Sequence, residues 1–260
     1  MTCAENLARG AMPLPGGLAM TCFDLGAGIT AGFTSREGGV SAAPYASLNL
    51  GQGVGDDPAA VAANRARLAA ACGLQPADLA WMHQVHGSDV CYLGSGTPQP
   101  PRPVDSIMTD VPDRALCVLV ADCVPVLIAD PEAGLIGAAH AGREGMVAGV
   151  VPALVGAMAA AGGVPGRMRA VTGPGICGRC YEVPAELQTR VAAAVPAARC
   201  LTSAGTPGLD ITAGVRAQLE AAGVGSAMSA GQCTRESPAL FSYRRDGTTG
   251  RFAGVIWRSR

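Results

Sequence analysis

The chain has 260 residues, and 49% of them are hydrophobic, so it is long enough to bury a substantial core. Its formal net charge of −1 argues against a polyanion-binding surface, and we therefore expect no nucleic acid partner. All 19 basic residues are arginine, which excludes a Schiff-base lysine and the phosphate-binding lysine of a P-loop.

The sequence predicts a cytoplasmic protein with no membrane partner. Residues 1–17 lack the basic start and the continuous apolar stretch of a signal peptide. No segment reaches the roughly 18 uncharged apolar residues that a membrane-spanning helix needs. The 10 cysteines are scattered along the chain, which is more typical of reduced thiols than of a disulfide framework.

The predicted elements mix helices and strands without a regular βαβ alternation. Helices are predicted from turn residues and apolar periodicity, and strands from runs rich in β-branched residues. In chain order they are a helix over 57–73, strands over 80–93, 114–121, 126–129 and 135–141, a helix over 142–161, a strand over 168–172, helices over 184–194 and 211–222, and a strand over 252–257. This pattern predicts an α+β fold forming one compact domain over residues 1–260.

Only 3 histidines occur in the chain, and two short motifs contain them all: Trp81-Met-His-Gln-Val-His-Gly87 and Gly137-Ala-Ala-His-Ala-Gly142. Between these motifs lies Ala121-Asp-Cys-Val-Pro125. If the strands over 126–129 and 135–141 form a hairpin, Cys123 lies nearly opposite His140. Cross-strand neighbours have Cβ atoms about 5 Å apart, a separation that suits two ligands of one zinc ion.

The three-residue spacing of His83 and His86 limits which of them reaches the same site. On the predicted strand an odd separation puts them on opposite faces. We prefer His86, because Gly87 permits close approach of the backbone, and assign His83 a supporting or packing role. His86, Cys123 and His140 would leave a fourth position open, as in catalytic zinc sites. The spacing alone is equally consistent with a second interpretation, in which the histidines are ordinary buried or surface residues and Cys123 is a buried apolar thiol.

Further motifs, spread over nearly the whole chain, resemble one protein family. The resemblance is carried by the ordered set, which includes Phe33-Thr-Ser-Arg-Glu-Gly-Gly-Val-Ser41, Ser47-Leu-Asn-Leu-Gly51, Gln84-Val-His-Gly87, Ala121-Asp-Cys-Val-Pro125, Ala139-His-Ala-Gly142, Tyr181-Glu-Val183, Phe241-Ser-Tyr-Arg-Arg-Asp-Gly247 and Thr249-Gly-Arg251. This set resembles the multicopper polyphenol oxidase, or laccase-domain, family. Its members are mostly described as zinc-dependent purine nucleoside phosphorylases, and some as peptidoglycan editing factors.

The resemblance implies a layered α/β/β/α arrangement with mixed sheets, shared with certain cysteine hydrolases. It implies phosphorolysis of adenosine, inosine and related nucleosides, with adenosine deamination at the same site. Matched by motif, the family's zinc ligands are His86, Cys123 and His140. The implied cofactor is therefore one catalytic zinc ion rather than copper, and the implied partners are a nucleoside and phosphate. We expect a monomer.

Other residues are predicted to support the reaction. Cys123, His140 and Asp122 are the candidate catalytic residues, although Asp122 could equally support the site from behind the ligands or act as a structural cap. Arg36, in a glycine-rich loop, is the leading candidate for phosphate binding, although a solvated loop arginine is as consistent with the sequence. Asp105 is a candidate for substrate binding, for support of the metal ligands or for acid–base chemistry.

One departure from the family pattern concerns the residues after His140. The family usually continues this motif with Gly-Trp-Arg-Gly, whereas the chain has Gly142-Arg-Glu-Gly145. An acid therefore occupies the usual place of an arginine. We expect Arg143 to replace the missing charge from the adjacent position, as a third substrate-binding candidate.

Two alternative functions use the same residues. A cysteine amidase acting on peptidoglycan precursors would use Cys123 as the nucleophile and a histidine as the base. A copper-dependent polyphenol oxidase partly fits the ligand types, but its trinuclear centre needs more histidines than the 3 present.

A CxxC motif, Cys177-Gly-Arg-Cys180, lies outside this set of predicted site residues. No second CxxC exists to complete a four-cysteine zinc site, and no thioredoxin-like context precedes it. The sequence therefore does not favour a redox role for this motif.

Overall fold

A computed structural model describes residues 12–14 and 18–259 of the chain. Most of residues 1–17, for which no signal peptide is expected, lie outside this part. The described strands are β1 Met12–Leu14, β2 Leu18–Gly26, β3 Ile29–Thr34, β4 Leu79–Trp81, β5 Val90–Tyr92, β6 Ser106–Thr109, β7 Ala115–Val120, β8 Val124–Asp130, β9 Leu135–Ala141, β10 Arg169–Thr172, β11 Arg199–Leu201, β12 Pro207–Leu209, β13 Ser226–Ser229 and β14 Phe252–Arg258. The described α-helices are α1 Pro58–Ala71, α2 Arg143–Val147, α3 Val150–Ala160, α4 Ala185–Ala194, α5 Ile211–Ala221 and α6 Tyr243–Asp246.

Two six-stranded mixed sheets form the centre of the fold. One has the strand order β1-β2-β3-β14-β7-β4, and the other has the order β13-β10-β8-β9-β6-β5. A core cluster that includes Phe33, Val118, Leu127 and Ile256 draws its side chains from both sheets. The two sheets therefore pack face to face, which buries one side of each.

Helices cover the outer faces of both sheets. Leu154 and Met158 of α3 pack in a cluster with β8 and β9, together with residues of α4 and α5. Leu68 of α1 packs with Trp257 of β14 on the opposite side of the molecule. The result is the α+β fold and the α/β/β/α order of layers expected from the sequence. Among the described helices, none has both the length and the apolar character needed to cross a membrane.

Local signals predicted several elements well. Helix α1 begins after Asp57, whose carboxylate accepts a hydrogen bond from the backbone N–H of Ala59. Helix α5 begins in the same way after Asp210, which accepts from the N–H of Ala213. These caps confirm the predicted helix starts, because side-chain caps satisfy backbone donors that the helix itself leaves free.

Two predicted elements are wrong in extent. The expected helix over 142–161 is divided into α2 and α3 by Gly149, whose φ of +83° is incompatible with continuing α-helix. The expected strand over 80–93 is divided into β4 and β5, with a loop between them. In that loop the side chain of Gln84 takes over pairing with β7, donating to the carbonyl of Leu119 and accepting from its N–H.

Candidate active site

A cavity of about 630 Å³ opens between the ends of several strands and loops, a size typical of small-molecule sites. It is bordered by the 82–86 loop, the connection from β7 to β8, the start of α2 and the α6 region. Its lining residues are Gly51, Gln52, Gly53, Val54, Met82, His83, Gln84, His86, Leu119, Val120, Ala121, Asp122, Cys123, His140, Gly142, Arg143, Ile176, Tyr181, Ile211, Tyr243, Arg244 and Arg251.

His86, Cys123 and His140 come together at this cavity as a group that could hold a metal ion. Their ligand atoms all lie within 4.8 Å of one another, and Cys123 Sγ is 3.9 Å from His86 Nε2. Zinc bonds of about 2.3 Å to sulfur and 2.1 Å to nitrogen in a tetrahedral site would place such atoms about 3.6 Å apart. The donor set and its spacing therefore fit a tetrahedral ion with an open position.

The predicted hairpin explains how Cys123 approaches His140. Strands β8 and β9 pair antiparallel, with Pro125 opposite His140 and Val124 opposite Ala141. Cys123 immediately precedes β8, at the turn out of β7. The two side chains are therefore close, as expected, but the residue directly opposite His140 is Pro125 and not Cys123.

His86 reaches the group from the loop, not from a strand as expected. Its backbone is left-handed, with φ of +62°, and its side chain points into the cavity. His83 lines the same cavity but lies outside the metal-binding group. The preference for His86 over His83 thus agrees with the structure, but the alternation of strand faces used to derive it is wrong.

Asp105 organises both histidines from a fully buried position. Its carboxylate accepts hydrogen bonds from the backbone N–H groups of Val85, His86 and Gly87, and Asp105 Oδ1 lies 2.8 Å from His140 Nδ1. Burial raises the pKa of Asp105, but the hydrogen bonds from His140 and the backbone outweigh it, so the pKa lies below its usual value. Asp105 therefore supports the ligands and is not among the residues that line the cavity, and the substrate-binding role predicted for it stays a prediction.

This contact determines how His140 faces the cavity. Because Nδ1 is directed at Asp105, Nε2 is left to face the metal-binding group. Burial lowers the pKa of His140 below its ordinary value, against the opposing effect of the Asp105 hydrogen bond. A neutral imidazole is the form that binds a metal ion.

The surroundings of Cys123 disfavour the thiolate form of its side chain. Burial, together with the nearby charge of Asp122, raises the pKa of the Cys123 thiol to about 12. A cysteine hydrolase needs the opposite, because its nucleophile is the thiolate at neutral pH. This environment disfavours a free thiolate nucleophile. A metal ligand is also a thiolate, so a bound cation would have to lower this pKa.

Asp122 fixes the wall of the cavity next to Cys123. It has a left-handed φ of +96°, a conformation that is uncommon outside glycine. Its carboxylate accepts hydrogen bonds from the hydroxyls of Thr234 and Ser242 and from the backbone N–H of Arg244, at 2.6 to 2.7 Å. Asp122 therefore positions the 234–244 segment, which agrees with the structural role that the sequence left open beside the catalytic one.

Three arginines line the cavity: Arg143, Arg244 and Arg251. Arg251 is the most enclosed of them, and burial lowers its pKa below the usual value. Arg143 turns toward the cavity while its neighbour Glu144 is exposed and pairs with it, 2.9 Å from the Arg143 Nε. The charge expected from Arg143 is thus present at the cavity.

Arg36 lies elsewhere. Its guanidinium donates to the carbonyl of Ala46 and packs over the ring of Phe241, 4.7 Å from the ring centroid. It is not among the residues that line the cavity, so the loop arginine has a structural role here. Sequence reasoning missed Arg244 and Arg251, although both lie in the 241–251 motif run that carried the family resemblance.

Comparisons with known proteins agree with this geometry. The sequence model of a family described as "Multi-copper polyphenol oxidoreductase laccase" matches residues 30–259. A purine nucleoside phosphorylase of Streptomyces coelicolor is 57% identical over 87% of the chain and 94% of its own length. A purine nucleoside phosphorylase of Mycobacterium bovis is 49% identical over 86% of the chain and 90% of its own length. The crystal structure of a hypothetical protein, YfiH, from Bacillus licheniformis has a TM-score of 0.85 at 29% identity, covering 95% of the chain and 97% of that protein.

Proposed function

The chain belongs to the multi-copper polyphenol oxidoreductase laccase family, and from that premise we propose that it is a zinc-dependent purine nucleoside phosphorylase. The observation that carries the proposal is the meeting of the His86–Cys123–His140 group and three arginines in one cavity. The names of the relatives in Streptomyces and Mycobacterium support the same reaction.

The residue types in the cavity suit the two substrates. Phosphate is an anion, and in a chain without lysine its charge must be met by arginine. Arg251 and Arg143 line the cavity together with Cys123, and they lie near enough to Cys123 for their positive charges to lower the pKa of its thiol. Tyr181, Tyr243 and the apolar side chains Met82, Leu119, Ile176 and Ile211 supply surface against which a purine can pack.

Phosphorolysis requires an oxygen of phosphate to bond to C1′ as the bond from C1′ to the purine nitrogen breaks. The electron pair of the broken bond leaves with the base, which is then protonated. The arginines bind and orient phosphate, and the cavity holds the nucleoside beside it. The two substrates therefore lose translational and rotational entropy on binding and little more in the chemical step. When bound to the three ligands, zinc supplies a Lewis-acidic positive charge beside phosphate.

The ligand residues contribute by their placement. Asp105 holds His140 in the orientation that directs Nε2 to the group, and the same carboxylate fixes the loop that carries His86. Asp122 holds the segment bearing Arg244 against the cavity. Each of these contacts fixes the position of a side chain that phosphate or the metal ion would contact. The site therefore needs less reorganisation free energy during the reaction.

The two alternative functions have less support. The raised pKa of Cys123 argues against an amidase nucleophile. The family description names copper, but only 3 histidines are present and two of them belong to one three-ligand group, so a trinuclear copper centre cannot be assembled. We therefore propose zinc as the resident ion.

The test is a screen of adenosine, inosine and guanosine with and without phosphate, using chromatography to identify base, ribose 1-phosphate and any deaminated nucleoside. We expect base and ribose 1-phosphate in equal amounts, and only when phosphate is present. His86→Ala, Cys123→Ala and His140→Ala should each abolish product formation, while Cys91→Ala, on the edge strand β5 and outside the cavity lining, should not. Full activity in all three ligand variants would contradict the proposal, and inosine formed from adenosine would add deamination.

A further inference from the structure

A second group of potential metal ligands lies outside the cavity. Cys177, Cys180, Cys233 and Glu236 bring one ligand atom each to within 4.8 Å of one another. The sequence showed only the first two as a CxxC motif, because the other two residues lie 56 positions downstream of the first two. We propose that these four residues form a structural zinc site that is separate from the active-site metal group.

The backbone around the group resembles a preformed ligand loop. Cys177 and Cys180 are joined by a turn in which the N–H groups of Cys180 and Tyr181 both donate to the carbonyl of Cys177. The opposite segment approaches through a bridge between Gly175 and Cys233. Both pairs of ligands are therefore fixed by backbone contacts, so an ion would bind without large rearrangement.

The spacing of the side chains matches a tetrahedral ion. Cys180 Sγ lies 3.5 Å from Glu236 Oε1. Zinc bonds of about 2.3 Å to sulfur and 2.1 Å to oxygen at tetrahedral angles would place these two atoms about 3.6 Å apart. Four protein ligands with no open position are the arrangement of structural zinc sites. The chemical class of the ligand is therefore a thiophilic divalent cation.

Ordinary packing of apolar thiols does not account for the group. None of Cys177, Cys180 and Cys233 belongs to the hydrophobic clusters formed by the described residues, and the structure leaves all three as free thiols. Cys180 is buried, Cys177 and Cys233 are half-buried, and Glu236 is exposed. Thiols converging at a polar edge are better explained by a cation that holds them together than by burial.

The surrounding charges suit the loaded site. Three thiolates and a carboxylate carry more negative charge than one zinc ion neutralises. Arg179 lies between the two cysteines of the motif, and its guanidinium is 3.7 Å from Glu236 Oε2. Arg235 donates to the carbonyl of Cys180 at 3.4 Å. These two cations would offset the excess charge when the thiols lose their protons on binding.

The proposed site ties together two segments that form one wall of the cavity. Ile176 and Tyr181 flank the CxxC motif and line the cavity. Thr234, next to Cys233, donates to Asp122, and Arg244 packs over the ring of Tyr181 at 4.8 Å from its centroid. Zinc at this position would therefore hold the wall that carries Tyr181 and Arg244 in place.

Zinc content measured by mass spectrometry of the purified full chain tests the proposal without using activity. We expect two zinc ions per chain in the native protein, one for each group, and one in Cys180→Ser and Cys233→Ser. Cys200→Ser is a matched control, since Cys200 contacts Gly178 of the same loop but lies outside the ligand set, and it should keep two. His86→Ala should keep the ion at Cys180 and lose the other, so the two sites fail independently.

Cobalt substitution and thermal unfolding provide a second readout. The thiolate-to-cobalt absorption of the second site should be lost in Cys180→Ser and Cys233→Ser, which no longer hold the ion, and kept in Cys200→Ser. Loss of zinc should lower Tm by roughly 5 °C or more, because a structural ion stabilises only the folded chain. An unchanged zinc content in both cysteine variants, loss of zinc in Cys200→Ser, or a disulfide among these cysteines in the native protein would overturn the proposal, whatever the occupancy of the His86–Cys123–His140 group.

Discussion

Replacing Gly142 by alanine tests whether His86 and Cys123 share one ion. A Cβ at Gly142 would lie 2.8 Å from His86 Cδ2 and 3.0 Å from Cys123 Sγ, whereas ordinary contact begins at 3.4 Å, so the imidazole must shift by about 0.6 Å. Metal–ligand distances tolerate only about 0.2 Å. We therefore expect zinc affinity at this group to fall at least as far as on losing a supporting residue, by about 10- to 100-fold.

The substitution should leave the fold intact. Gly142 has φ of −76° and ψ of 175°, a conformation open to alanine without backbone strain. The loss of a glycine cap on α2 should cost no more than about 1 kcal/mol. The defect should therefore appear in metal binding and not in global stability.

Competition with a chromophoric chelator, run beside chemical unfolding, separates these effects. Gly156→Ala is the matched control, because a Cβ there meets nothing within 4 Å and the residue lies in α3. It should bind zinc as the native chain does and gain about 0.5–1 kcal/mol in stability. Native zinc affinity at the Cys123 group in Gly142→Ala would refute the argument that this glycine makes room for the ligands.

Three further substitutions test other parts of the account. Asp105→Asn should lower zinc affinity by about 10- to 100-fold in a chelator titration, since it weakens the support of both ligand histidines; unchanged affinity would show that the carboxylate is dispensable. Arg251→Met should raise the KM for phosphate by about 10- to 100-fold in steady-state assays, while Arg36→Met should leave this KM unchanged. A rise in KM in Arg36→Met but not in Arg251→Met would instead identify Arg36 as the phosphate ligand. Burial raises the pKa of Asp130, but hydrogen bonds, including those from Arg167, outweigh it and hold the pKa below its usual value. The ionised Asp130 carboxylate therefore stabilises the fold fully above the unfolded-state pKa of about 3.9. This stabilisation is lost as the pH falls through the lower pKa that Asp130 has in the folded chain. Asp130→Asn should cost about 1–3 kcal/mol at pH 7 and progressively less toward pH 3 in urea unfolding, and a pH-independent cost would contradict this.

The local parts of the site could be predicted from the sequence. Cys123 immediately precedes β8 and His140 lies on β9, and a short turn joins these two strands, so their approach follows from a single hairpin. The caps at Asp57 and Asp210 are likewise local, because each carboxylate bonds to a backbone N–H two or three residues later.

The remaining parts depend on contacts between distant segments. Arg251 reaches the cavity because β14, which follows it, pairs with β7 next to Cys123, and no short motif indicates that pairing. The loop that presents His86 forms because Asp105, 19 residues away, accepts three backbone N–H groups that a strand would have used. The carboxylate of Asp105 thus takes the place of the strand-to-strand hydrogen bonds that residues 85–87 would otherwise form. The β-propensity of these residues gives no sign of that replacement.

Cys233 and Glu236 illustrate the same difficulty for the second group. The CxxC motif appeared incomplete because its other two ligands lie 56 residues away, in a segment without a metal-binding motif of its own. Ligand sets assembled from two separate segments become visible only when the fold brings those segments together.

Metal reconstitution shows whether phosphorolysis depends on zinc at the Cys123 group. Protein stripped of metal is titrated with zinc, and ribose 1-phosphate formation from inosine is followed with and without phosphate. We expect no product from metal-free protein, recovery on adding zinc to the native chain but not to Cys123→Ala, and no inosine cleavage at any zinc level when phosphate is omitted. Full phosphorolysis by metal-free protein, or equal recovery in Cys123→Ala, would contradict this dependence on zinc.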